Sequence, residues 1–191
     1  MVVTYFGGNS LRFQSGELVL LTDPANNRQK ADMVLRTTVS SKEIPPSAPG
    51  EIWSAGEYEV KGIEILGIPL AGEPAAPALK TAYLVTWEGI TIGLLGHLSK
   101  LPDKGTLEPF TDVDLLVVPT GDAGTLSPDA AAKIVKQLSP AIVVPSLYKR
   151  PHDLPGALGR KVQPQEKLVF KKKDIEHEKL EVVVLEAKGL A

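Results

Sequence analysis

The sequence predicts a layered α+β domain, and three observations carry that reading. Short runs of β-branched and aliphatic residues, each of strand length, recur along the 191 residues between clusters of Gly, Pro and Asn. Only one segment, Ser127 to Leu138, carries full helix punctuation. That segment lies between two strands that read as buried, Asp114 to Pro119 and Ala141 to Val144, so the three form a βαβ unit and part of the sheet must be parallel. A chain of this length can bury a sizeable core, and one domain over residues 1–191 is expected.

Taken in order, Val2 to Phe6 alternates and reads as a strand, followed by the turn Gly7-Gly8-Asn9-Ser10. A second strand begins at Leu11 to Phe13, and a third spans Glu17 to Leu21 beyond Ser15-Gly16. Thr22-Asp23-Pro24 and Asn26-Asn27 end this meander. Met33-Val34-Leu35 reads as a short buried strand, and the small polar residues after it read as a loop. Pro45, Pro46, Pro49 and Gly50 continue that loop. Short strands are then expected at Glu51 to Trp53, Glu57 to Val60 and Ile63 to Ile68. Leu70 to Ala78, with two prolines and a glycine, reads as loop. Lys80 to Trp87 and Ile90 to Leu95 flank Glu88-Gly89, a two-residue hairpin turn. In the helix, Ser127 caps, Pro128 takes the first position, Asp129 faces the positive end, and Ser139-Pro140 stops it. Ala131, Ile134, Val135 and Leu138 make its apolar face. Two last strands are expected at Lys167 to Lys171 and Lys179 to Glu186. The second is apolar on both faces at Val182 to Leu185. Left uncovered it would invite pairing with another copy, so a homo-oligomer is expected.

Composition narrows the function classes. There is no cysteine, so disulfides and thiolate chemistry are excluded and a reducing compartment suits the chain. No apolar run approaches the roughly 18 residues of a membrane span, and the start lacks the pattern of a signal peptide. A cytoplasmic protein without membrane attachment is expected. Charge is uneven. Residues 1–148 carry 11 Lys/Arg against 16 Asp/Glu, whereas residues 149–173 carry 8 against 2. The basic stretch is the one compositional hint of a polyanion partner. It lacks interleaved aromatics apart from Phe170, so only weak, salt-sensitive nucleic-acid binding is expected of it. There is no Gly-x-Ser-x-Gly elbow, dinucleotide fingerprint or phosphate loop, so Ser10, Ser40 and Ser146 are poor nucleophile candidates and Gly121-Asp122-Ala123-Gly124 reads as a turn.

A resemblance sharpens the fold. Thr4-Tyr5-Phe6-Gly7 with Leu11-Arg12-Phe13, Thr22-Asp23-Pro24, Ala31 to Leu35, Gly56 to Ile63 and Leu94-Leu95-Gly96 occur in order. Asp114 to Gly121, Pro140 to Pro145 with Tyr148, and Lys171 to Asp174 leading to Val182 to Leu185 follow. Together these anchors resemble the metallo-β-lactamase fold, in its small group of Zn-dependent hydrolase-like proteins. The resemblance implies a four-layered αββα sandwich with its site along one sheet edge.

It also implies where metal ligands would stand. The family's His-x-His-x-Asp-His positions are Thr38, Ser40, Lys42 and Glu43 in this chain. Leu70-Ala71-Gly72 supplies no later His, His97 follows Gly96 where the bridging acid belongs, and Leu147 stands near the last His position in Pro145-Ser146-Leu147-Tyr148. Asp23 matches an early supporting Asp. Catalytic zinc takes about three imidazole, thiolate or carboxylate ligands, and hydroxyls are poor substitutes. Lys42 puts a positive charge where a cation would lie. Asp23, Thr38, Ser40, Lys42, Glu43, His97 and Leu147 are therefore expected to be vestigial positions, with no catalytic residue, metal or cofactor. The expected role is binding or assembly with a protein or small-molecule partner. The rival is a hydrolase with a displaced or single metal on Glu43, His97 and Asp23. His97 itself reads as a hydrogen-bonded residue at the core edge, His152 as exposed and His177 as one of the tail charges.

Overall fold

The computed structural model describes residues 1–189 apart from 27, 41, 43–47, 71–77, 122 and 123. Glu43, Asp122 and both proline-rich loops thus lie wholly or largely outside the described residues. Along the chain, β1 (Val2–Tyr5), β2 (Leu11–Ser15) and β3 (Leu18–Thr22) form the opening meander. Next come β4 (Met33–Leu35), β5 (Thr38–Ser40), β6 (Glu51–Ile52), β7 (Gly56–Val60) and β8 (Ile63–Pro69). The long hairpin β9 (Ala78–Trp87) and β10 (Ile90–Leu94) turns at Glu88 and Gly89, both at positive φ. That is the primed turn that matches the twist of paired strands. A short α1 (Lys104–Leu107) precedes β11 (Leu115–Pro119), α2 (Pro128–Leu138) and β12 (Ile142–Ser146). The chain closes with α3 (Asp153–Ala157), β13 (Leu168–Val169) and β14 (Glu181–Val182).

Two sheets result. The smaller has the order β13-β1-β2-β3-β4-β6, the larger β14-β12-β11-β10-β9-β8-β7. Strands β10, β11, β12 and β14 run parallel, as the βαβ unit requires. Between the sheets lies a core of inward residues such as Val3, Phe13, Leu20, Tyr83, Ile92, Val117 and Val144. The outer face of the larger sheet meets α2 through Leu116, Val118, Ala131, Ile134, Leu138 and Val143. Gly93 on β10 makes room for this layer: a Cβ there would come 3.0 Å from Phe110 and 2.9 Å from Leu116. This is an α+β sandwich of two facing sheets with helices on the outer face of the larger one. The described helices with buried side chains pack on the larger sheet.

Three sequence readings are corrected. The segment after β4 is a strand, not a loop. Its residues ladder with β9, Thr38 opposite Lys80, Val39 opposite Leu79 and Ser40 opposite Ala78, because burying Val39 fixes the register. The last strand is two residues long, not eight. Its continuation crosses toward the smaller sheet: Val183 N donates to Val143 O, Gln165 N to Val184 O and Lys188 N to Tyr5 O. Val182 to Leu185 are consequently buried within this chain. The run Lys171-Lys172-Lys173, which as sequence reads as a solvated turn between two strands, is tied down instead, since Lys172 Nζ donates to the buried Asp114 at 2.6 Å. His177 Nε2 meets the same carboxylate at 2.9 Å.

Candidate functional site

The carboxyl ends of several strands deliver polar residues to one edge of the sandwich. Asn9 sits in the β1–β2 turn, Asp23 just past β3, Thr37 between β4 and β5, His97 past β10 and Ser146 at the end of β12. Thr37 and Ser146 are fully buried and Asn9 is nearly so. Buried polar groups persist only when hydrogen-bonded, and these bond to one another.

Asp23 is the acceptor at the centre. Its Oδ1 accepts from Thr37 N at 2.8 Å, and its Oδ2 accepts from Asn9 Nδ2 at 2.6 Å and from the Thr37 hydroxyl at 2.5 Å. Asn9 Nδ2 also reaches Thr37 Oγ1 at 3.1 Å, and Asn9 Oδ1 accepts from Ser146 Oγ at 2.8 Å. The backbone is bent to suit: Asp23 has φ +37° and Leu147 φ +51°, and Leu147 N donates to Gly8 O at 2.7 Å. Gly96 has φ +59°, and any Cβ there would fall 2.6 Å from Thr37 Cβ. Only glycine lets His97 approach Thr37 so closely.

His97 Nδ1 lies 2.8 Å from Thr37 Oγ1 and 3.8 Å from Asp23 Oδ2. The threonine hydroxyl has one proton, and the carboxylate takes it. Thr37 Oγ1 is then an acceptor toward His97, so the imidazole proton belongs on Nδ1 and Nε2 keeps its lone pair. Burial holds the His97 pKa below the ordinary 6.5, Asp23 opposes that, and the positive charge of Lys80 adds to it. The ring is neutral near pH 7, with its side chain 27% exposed.

The structure therefore joins Asp23 and His97 and separates the remaining candidates from them chemically. Thr38 is half-buried on β5, Ser40 and Lys42 are exposed, and Leu147 offers no donor atom. Glu43 lies outside the described residues. Asn9, Thr37 and Ser146 complete the cluster although their sequence signal was that of turn and strand-end residues. Among the described residues no three His, Cys, Asp or Glu side chains group as metal ligands. Both Asp23 oxygens already accept strong hydrogen bonds, and His97 Nδ1 is committed to Thr37. Among the described residues, one imidazole lone pair and hydroxyls are what the edge offers, and these do not fit a catalytic zinc.

The beta-lactamase superfamily domain model matches residues 2–146. No curated protein sequence matches significantly. The fold is similar to that of a Thermotoga maritima protein assigned to the Zn-dependent hydrolases of the metallo-beta-lactamase superfamily. The two share 20% identity and a TM-score of 0.76, over 97% of this chain and 99% of the other. It is also similar to the metallo-beta-lactamase fold protein YhfI of Bacillus subtilis, at 12% identity and TM-score 0.68 over 99% and 97%. Igni18, a metallo hydrolase of Ignicoccus hospitalis, aligns at 15% identity and TM-score 0.65 over 89% and 99%. Such identities speak for the fold alone. With the family model spanning most of its length, the chain belongs to the beta-lactamase superfamily domain family and has the metallo-β-lactamase fold.

Proposed function

We propose that this protein is a non-catalytic member of its family, a binding or assembly module whose edge site is closed by hydrogen bonds instead of metal. The observation that carries this is the saturation of Asp23, which accepts three hydrogen bonds from Asn9 and Thr37. A metal at this edge would have to displace donors that are themselves buried. The pairing of Thr38 with Lys80 supports the same reading, since a cation stands across from the first ligand position. What the edge offers a partner is an imidazole lone pair on His97 beside the hydroxyl-bearing strand β5. The second reading is a metal-dependent hydrolase, favoured by the names of the structural neighbours and by the closeness of His97 to Asp23. Elemental analysis after dialysis, with melting curves with and without added zinc, separates the two. Far less than one zinc per chain and an unmoved melting curve are expected. One retained equivalent, or a zinc-induced shift abolished by His97→Ala, would replace the proposal with the hydrolase reading.

A further inference from the structure

The basic run at residues 149–173 is partly paired in the fold. Lys172 pairs with Asp114 and Arg150 with Asp153. Arg160 and Lys161 share a depression with Asp174, Glu176 and Glu181. A different group of cations, invisible as a run, gathers on the outer face of the smaller sheet. Arg12 stands on β2 opposite Thr4, and Lys188 lies alongside β1 because its N–H donates to Tyr5 O. Arg28 and Lys30 come from the segment between β3 and β4. These four line one depression of about 480 Å³ with Phe6, and among the described residues no carboxylate side chain lines it. None of the four cations forms an ion pair among the described residues. Gln29 also lines the depression.

Four positive charges with no ion-pair partner among the described residues, in a part of the chain that is otherwise acidic, favour an anion between them. Arginine forks suit phosphate oxygens. The volume lies within the roughly 300–1,000 Å³ of small-molecule sites, and the half-buried ring of Phe6 gives an apolar wall for an organic group. We propose that this depression binds a small phosphate-bearing anion, of phosphate-monoester or pyrophosphate type. The site shares no residue with the Asp23 cluster, so the zinc result above leaves it untouched.

Calorimetric titration with inorganic phosphate and with pyrophosphate at low salt tests this. Binding is expected for pyrophosphate. It should weaken by about tenfold or more in Arg12→Gln/Arg28→Gln, as loss of charge-assisted hydrogen bonds implies. It should be unchanged in Lys161→Gln/Lys167→Gln. Should the first variant fold poorly, Arg28→Gln/Lys30→Gln, confined to the segment between β3 and β4, gives the same reading. Binding to phosphatidylglycerol vesicles that pyrophosphate displaces would identify a lipid headgroup as the phosphate source and support the site. Vesicle or oligonucleotide binding that pyrophosphate cannot displace, no pyrophosphate binding at millimolar concentration, or a loss that follows Lys161 and Lys167 would overturn it.

Discussion

Thr37 has one proton and three polar neighbours, and the order in which they are satisfied sets the chemistry of the edge. It donates to Asp23 and accepts from Asn9 and His97. Thr37→Val keeps the shape but removes one of the three donors to Asp23 and turns a buried amide toward a methyl group. The variant should lose about 1–3 kcal/mol in urea unfolding, the usual cost of stranding buried polar groups. A loss below a few tenths would mean that the cluster is slack. His97 gives a second, independent reading. Its folded pKa is depressed, so the unfolded chain takes up a proton first as pH falls. Stability from this residue is complete above the unfolded value near 6.5 and is lost as pH drops toward the folded one. Denaturant midpoints should therefore fall more steeply between pH ~7 and ~5 in the wild type than in His97→Gln. Parallel slopes would show that His97 is not held neutral by the fold.

At the scale of elements, α2 behaves as its residues dictate. Ser127 Oγ accepts from Ala130 N at 3.2 Å, Pro128 opens the helix and Asp129 stands in its first turn. Ser139, the C-cap, is in the left-handed region at φ +50°, where a Cβ is a handicap. Ser139→Gly should stabilise by about 0.5–1 kcal/mol, read as a raised melting temperature. A neutral or lower value would place the strain elsewhere. This helix, the Glu88-Gly89 hairpin and the apolar β11 and β12 were legible because their signals are local. Strand β5 was not. Thr38-Val39-Ser40 has no periodicity to read, and its strand character comes from β9, some forty residues away. The candidate site divides in the same way. Asp23 and His97 stood at positions that a family pattern marks. Asn9, Thr37 and Ser146 look like ordinary turn and strand-end residues until the topology brings five chain segments to one edge.

Across the whole molecule, polar anchors sit at both ends of the β10–β11 pair. The Asp23 cluster lies at the carboxyl ends, and Asp114 lies at the foot of β11 with its side chain 1% exposed. Asp114 accepts from Thr91 N at 2.8 Å, Lys172 Nζ at 2.6 Å and His177 Nε2 at 2.9 Å. It thereby fastens the segment leading to β14 onto the sheet. Burial alone would raise the Asp114 pKa, but hydrogen bonds from Lys172, Thr91 and His177 overcome it and the net shift is downward. A depressed carboxylate contributes stability that is present above the unfolded value near 3.8 and lost as pH falls through the folded one. Asp114→Asn removes the charge and sets an amide NH₂ against existing donors. A loss of about 2–4 kcal/mol at neutral pH is expected from breaking a buried charged network at one member. The loosened segment should also become the first point of limited proteolysis, between Lys172 and Leu180. In the wild type that cleavage should appear only on acidification below about pH 3.8, when Asp114 takes up its proton. Cleavage that starts elsewhere in Asp114→Asn, or a segment equally protected in both proteins, would show that the closing strand is held by Val182 to Leu185 alone.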